Sequence, residues 1–192
     1  LYEHAGYRAR VAQTTRPWVA FGTKFADLNH DGRLDLVLVN GHVQDLIQQM
    51  NPANPYPQLP QLFLNLGDGR FREISDAVGP DFRKALVGRA LAVGDFDNDG
   101  DLDLLAADLE GTPRLWRNEG GSTAGRWLML HLTGRYGNRQ AIGARVELTA
   151  GGKTQLREVR ADGSYLTTND PRVHFGLGST DIVDEIRIRW PS

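Results

Sequence analysis

The sequence predicts an all-β protein assembled from hairpins, and three observations carry that reading. Short runs alternate apolar and polar residues, as in Trp18 to Phe25 and Asp184 to Pro191, which is the pattern of a half-buried strand. Turn signals rich in Gly, Asn and Asp separate these runs, and no stretch carries a convincing long helical period. Two acid-dense stretches of one design begin at Asp27 and Asp95, 68 residues apart, and each is followed by an apolar run.

The second acid-dense stretch reads Gly94-Asp95-Phe96-Asp97-Asn98-Asp99-Gly100-Asp101-Leu102-Asp103. Five carboxylates within nine residues repel one another, so a positive charge is expected to offset them. The stretch has only oxygen donors, with no Cys and no His, and this points to a hard divalent cation, calcium above all. The first copy reads Asp27-Leu28-Asn29-His30-Asp31-Gly32-Arg33-Leu34-Asp35. Positions 1, 3 and 5 offer side-chain oxygens, and position 6 is Gly because the chain must turn sharply there. Position 7 offers its backbone carbonyl, so Arg33 and Asp101 both serve there. An EF-hand loop needs a bidentate Glu at position 12 and a following helix. Here position 12 is Leu38 or Ala106, and the acid stands at position 9, as Asp35 and Asp103. The apolar residues that follow read as strand, so these are loops inside β-hairpins.

With their β-like flanks, the two loops resemble the FG-GAP or VCBS repeats of integrin-type β-propellers. The resemblance implies one calcium ion held by Asp27, Asn29, Asp31, the carbonyl of Arg33, and Asp35. It implies a second held by Asp95, Asp97, Asp99, the carbonyl of Asp101, and Asp103. The first loop has Asn29 where the second has Asp97, so it is expected to be the weaker site. A closed propeller needs several blades, and two loops are visible. The fold expected is therefore a partial propeller of two calcium-loop blades, the C-terminal piece of a longer protein.

Composition narrows the function classes. With 192 residues, 40% apolar and 24% charged, the chain can bury a sizeable core and fits one large or two small globular domains. The net charge is −2 without a basic block, and two divalent ions would bring it to +2, so neither nucleic acid nor an anionic membrane is indicated as partner. No apolar run approaches the roughly 20 residues that span a bilayer. The absence of Cys excludes a disulfide-stapled scaffold. The chain begins at Leu1 without a signal peptide, as expected of a mature product or a cut fragment. Such loops suit calcium affinities of roughly 10⁻⁴ to 10⁻³ M, which favours a secreted or periplasmic location.

Taken in order, residues 1–17 show little periodicity and read as an arm or the remnant of a preceding blade. Trp18 to Phe25 is the strand entering the first loop, and Leu34 to Asn40 is its return. Residues 41–61 hold four prolines, which excludes a continuous helix or central strand there. A short helical turn at 43–50 is compatible, and the segment reads as a surface insertion or as the rim of a binding surface carrying Tyr56. Gln61 to Ile74 places two apolar runs around Asp68-Gly69, a hairpin signal. Residues 76–85 are turn-rich. Gly88 to Gly94 is the small, apolar strand entering the second loop, and 104–108 is its return. Pro113 to Asn118 matches Gln61 to Asn65 in position relative to its loop.

Gly120 to Gly125 is flexible in composition, so the boundary is expected between domains 1–120 and 121–192. Beyond it, strands are predicted at 127–132, 141–149, 154–160, 172–178 and 184–191, with turns at Gly137-Asn138 and Gly151-Gly152. This part resembles the ASPIC/UnbV domain in Ile142-Gly143-Ala144-Arg145-Val146, Gly163-Ser164-Tyr165-Leu166, Val173 to Gly178 and Ile186 to Ser192. Repeats and C-terminal part together resemble the cartilage acidic protein-like family, which implies a small, β-sandwich-like domain after the propeller repeats.

Catalytic constellations are sparse. The five His show no metal-ligand spacing; His30 sits at a non-ligand position and is expected to be exposed, whereas His174 is expected to be a packing residue. No Gly-rich stretch has the context of a phosphate loop. Trp18, Trp116, Trp127 and Trp190 read mostly as core, and Arg135, Tyr136, Arg139 and Arg160 read either as an anion-binding face or as solvated surface. The reading favoured is a non-catalytic, calcium-binding, extracytoplasmic repeat module for protein or carbohydrate partners, as in cell adhesion. The alternative is an enzyme or accessory protein of a biosynthetic pathway, with a pocket between propeller and C-terminal domain. A deep pocket near Tyr56, His42 or His174 holding a titratable group with a displaced pKa would favour the alternative.

Overall fold

A computed structural model describes residues 2–120 and 125–191. The protein is all-β, built from antiparallel sheets, and among the described residues no sheet closes into a barrel. The first sheet is a meander in the order β1 (Ala20–Ala26), β2 (Asp35–Asn40), β3 (Gln61–Asn65), β4 (Phe71–Glu73). The second is a shorter meander of β5 (Gly88–Gly94), β6 (Asp103–Asp108) and β7 (Arg114–Trp116). Their registers agree at the loops: Ala26 pairs with Asp35 below the first loop, and Gly94 pairs with Asp103 below the second. The two meanders fit two blades of an incomplete propeller.

Sequence pattern explains the packing. All six residues of β2 are buried, because the strand lies between β1 and β3 and both its faces are covered. Val37 and Val39 enter the core shared with Leu91, Val93 and Ala106 of the second sheet, while Leu36 and Leu38 pack with Phe63 on the other side. A continuous apolar run is the signature of such a doubly covered strand. The proline-rich insertion is tied into this core. His42 N–H donates to Tyr56 O at 2.9 Å, Gln58 and Leu86 exchange backbone bonds, and buried Asn40 donates to Leu59 O at 2.8 Å. The short helix α2 (Ile47–Met50) buries only Ile47 and leaves Met50 exposed. A four-residue helix α1 (Ala12–Thr15) lies in the N-terminal arm, whose residues carry no periodic signal.

The remaining strands form two smaller sheets. One runs β10 (Lys153–Glu158), β9 (Arg145–Ala150), β12 (Val183–Arg189), and the other pairs β11 (Val173–Gly178) with β8 (Arg126–Leu130). Val146, Leu148, Val173 and Phe175 fill the core between them, which gives the sandwich-like layering. β9 begins at Arg145 and not at Ala141, because Ala141 lies at φ 52° in a turn that Asn138 closes through Ile142. The expected boundary falls against residues 121–124, outside the described residues. None of the four tryptophans is fully buried, contrary to the alternation argument, and Trp127 and Trp190 are exposed. Trp190 follows edge strand β12, and Trp127 spends its buried face on the second acidic loop, described next.

Candidate metal centres and the adjoining cleft

Each acidic loop is folded by its own carboxylates. Asp27 accepts from Asp31 N–H at 3.1 Å and Gly32 N–H at 2.8 Å, and Asp95 accepts from Gly100 N–H at 3.1 Å. The position-9 acids fasten the loop to the third strand of the sheet. Asp35 accepts from Leu28 N–H at 3.2 Å and Asn65 N–H at 2.9 Å; Asp103 accepts from Phe96 N–H and Asn118 N–H, both at 2.8 Å. Asn65 and Asn118 are equivalent supports that motif reasoning missed. Their signal was present, since each closes the apolar run that follows its loop. The backbones match as well: position 4 has positive φ in both loops, His30 at 59° and Asn98 at 61°, and so does position 6, Gly32 at 83° and Gly100 at 97°.

The loops differ in how their carboxylates are placed. In the second, ligand atoms of Asp95, Asp97 and Asp99 all lie within 4.8 Å of one another, the only such group of His, Cys, Asp or Glu side chains among the described residues. Asp95 Oδ1 is buried and has no hydrogen-bond partner. A buried, unpartnered carboxylate oxygen is costly unless a cation meets it. Asp101 turns its side chain away from this group, and Asp103 lies at the base of the loop. In the first loop, Asp31 is held by the guanidinium of Arg33 and by the Asn29 amide at 3.1 Å. Burial pushes Asp27 up, eased by the Gly32 N–H. It pushes Asp35 up to about 6, with the Asn65 and Leu28 N–H groups opposing and Asp31 and Asp27 adding repulsion. Arg157 and His30 ease the charge of Asp27 in part, and a dication would offset the burial of both groups.

The C-terminal sheets sit directly on these loops. His30 is 1% exposed, a correction to the expectation of an exposed side chain. Its Nδ1–H donates to Gly125 O at 2.9 Å, its backbone carbonyl accepts from Gly178 N–H at 2.7 Å, and Nε2 lies 3.1 Å from Asp101 Oδ1. His174 is buried as a packing residue, with Nε2 donating to Gly100 O at 3.1 Å and its ring centroid 5.0 Å from that of His30. Trp127 lies over Gly100 so closely that a Cβ there would stand 1.9 Å from the indole. Arg172 grips the same loop, donating to Asn98 Oδ1 and Asp95 O, both at 2.7 Å.

Beside the first loop, a cleft of about 390 Å³ opens between the repeats and the C-terminal sheets, lined by Lys24, Asp27, Met129, Arg157, Arg172 and His174 among others. Burial, with the charges of His30 and Arg157, depresses His174 to about 4. A second, mainly apolar cleft of about 420 Å³ lies between the two repeat sheets, against Phe82 and Trp116. Among the described residues no helix is long and apolar enough to cross a membrane.

Paired acidic loops on β-meanders, roofed by a small β domain, define a repeat protein whose chemistry is concentrated at its hairpin tips. Comparison with known proteins agrees. Residues 27–106 match the FG-GAP-like repeat family, and residues 134–192 match the ASPIC and UnbV family. The chain is 30% identical over 164 residues to cartilage acidic protein 1 of Mus musculus, and 29% identical over 163 residues to that of Homo sapiens. These matches cover 83% of the chain but only 21% and 20% of the relatives. The chain thus spans about a fifth of the length of the curated relatives it matches. It belongs to the family of FG-GAP repeat proteins that carry an ASPIC/UnbV domain, similar to cartilage acidic protein.

Proposed function

We propose that the chain is a non-catalytic, calcium-binding module that works outside the cytoplasm, with repeats over 1–120 and an ASPIC/UnbV domain over 121–192. The observation that carries this reading is the unpartnered Oδ1 of Asp95, buried beside the converging oxygens of Asp97 and Asp99. The second ion is assigned to Asp95, Asp97, Asp99, the carbonyl of Asp101, and Asp103. The first is assigned to Asp27, Asn29, Asp31, the carbonyl of Arg33, and Asp35. Oxygen ligands in flexible loops suit calcium better than magnesium, which demands a tighter octahedron. Millimolar calcium outside cells supports the location, as does the family's inclusion of a protein named for cartilage. Calcium would stiffen the hairpin tips on which the C-terminal sheets rest. Exposed Val43, Leu46 and Met50 on the insertion and Phe96 on the second loop are then available to a protein or glycan partner.

Calorimetric titration with calcium, together with melting curves in calcium and in chelator, tests the reading. Two binding events and a clear fall in melting temperature on chelation are expected; an unchanged melting curve rejects a structural role for the ion. The cleft lined by His174, whose pKa is displaced, favours one alternative: an enzyme or accessory protein that works on a small molecule held between repeats and C-terminal domain.

A further inference from the structure

We propose that the cleft between the repeats and the C-terminal sheets binds an organic oxyanion, a carboxylate, sulfate or phosphate group carried on an apolar body, with Lys24 and Arg157 as its receptors. Four cationic side chains line the cleft: Lys24, Arg157, Arg160 and Arg172. Two are already neutralised. Arg160 Nε lies 3.3 Å from Asp162 Oδ1, and Arg172 pairs with Asp170 at 2.6 Å. The other two make no direct ion pair among the described residues, although Asp162 acts on Lys24 and Asp27 on Arg157 from farther away. Lys24 Nζ donates to Asp162 O at 3.3 Å, and the Arg157 guanidinium donates to Leu156 O and Gln155 Oε1, both at 3.0 Å, and stands 5.5 Å from the Phe175 ring centre. All of these are neutral acceptors. Burial works against both charges, lowering the pKa of each. A partly buried cation without a direct ion pair carries a desolvation cost, and an entering anion offsets it.

The negative groups in the cleft do not fill that role. Asp27 acts on Arg157 from beyond ion-pair distance, with its two oxygens turned to the N–H groups of Asp31 and Gly32, while Asp162 and Asp170 are engaged by Arg160 and Arg172. Glu158 is exposed on the rim. The lining also holds apolar residues, Phe25, Val93, Leu102, Met129 and Leu156. A volume of about 390 Å³ falls at the small end of the range for small-molecule sites. The combination selects a ligand with one charged end and an apolar remainder. Neither Lys24 nor Arg157 belongs to a loop assigned to an ion, although Asp27, a ligand assigned to the first ion, also lines the cleft, so the test is run with calcium saturating.

The test uses the whole, calcium-saturated chain in amide-detected NMR titrations with three probes: phenylbutyrate, phenylbutanol and inorganic phosphate. Phenylbutyrate is expected to saturate a single site with shifts centred on Lys24, Arg157 and Met129. Phenylbutanol, which lacks the charge, is expected to bind about tenfold more weakly or worse, as loss of charge-assisted hydrogen bonds predicts. Inorganic phosphate, which lacks the apolar body, is expected to bind more weakly than phenylbutyrate. Lys24→Gln and Arg157→Gln should each weaken phenylbutyrate about fivefold or more, while Arg145→Gln, outside the cleft, leaves it unchanged. Should Arg157→Gln fail to fold, Lys24→Gln alone decides. The proposal is overturned by absence of saturable binding, by equal affinity for the alcohol, or by binding that survives Lys24→Gln and centres on the Trp116 cleft.

Discussion

His30 Nε2 of the first acidic loop lies 3.1 Å from Asp101 Oδ1 of the second, so hairpin tips 68 residues apart in sequence meet at one close contact. The histidine side chain is 2% exposed, and its other nitrogen bonds Gly125 O. One residue thus ties both repeats and the C-terminal chain together. His30→Ala removes both contacts and leaves a cavity, so a loss of about 2–3 kcal/mol is expected in urea unfolding. Asp101→Asn keeps the position-7 carbonyl, so its calcium affinity at the second loop should stay within about threefold of wild type, well under the loss caused by Asp97→Asn.

The packing of C-terminal sheet on loop is tested at Gly176. A Cβ there would stand 2.1 Å from Asp27 Oδ2 and 2.5 Å from the His30 backbone. Gly176 has no positive φ, so any cost of Gly176→Ala is steric. Destabilisation of about 3 kcal/mol is expected from such overpacking, with calcium affinity at the first loop falling more than at the second. Gly152→Ala is the control: φ is 73° and nothing lies within 4 Å, so only the backbone cost of about 1 kcal/mol applies. Equal losses in the two variants, measured by denaturant midpoint, would reject the steric account.

Local signals were legible and cross-chain placement was not. The alternation and turn residues located the strands to within a few residues, and the matched loops pointed to the two meanders. Residue chemistry alone, however, could not say that His30 would be covered, because its neighbours Gly125, Asp101 and Gly178 come from remote segments. The tryptophans misled for a related reason. Alternation reports which face a side chain takes but not what lies opposite, and Trp127 meets a glycine loop where a closed core was expected. The cleft was equally invisible, since Lys24 of β1 and Arg157 of β10 come to line one cavity only through the tertiary fold.

The two loops should differ in calcium affinity, the second binding more tightly. In the first, Asp31 is engaged by Arg33 and by the Asn29 amide, interactions that an entering ion must displace. In the second, Arg117 Nη1 stands 3.2 Å from Asp97, but Asp95, Asp97 and Asp99 already converge. Asp95→Asn should abolish the tighter event in calorimetry, and Asp31→Asn the weaker. At a hundredfold excess of calcium over the dissociation constant each site adds about 2.7 kcal/mol. In a chain of this size that corresponds to about 5–10 °C of melting temperature lost on chelation per site. Two equal affinities would refute the ranking.

His174 sets a pH dependence whose sign is fixed by burial. Its pKa falls from 6.5 to about 4, chiefly through desolvation, with the charges of His30 and Arg157 adding to the effect and the bond to Gly100 O opposing it. The folded state therefore binds a proton less readily than the unfolded chain. The neutral ring's contribution is intact above pH 6.5 and is lost as pH falls toward 4, amounting to about 3 kcal/mol over that window. Other groups titrate in the same range, Asp35 among them, so the informative quantity is the difference between wild type and His174→Gln. Gln keeps an N–H for Gly100 O but cannot take up a proton. Urea unfolding at pH 7, 5.5 and 4 should show wild-type stability falling relative to the variant as the solution becomes more acidic. A difference that stays constant across the three pH values would mean that His174 is protonated as readily in the folded protein as in the unfolded chain.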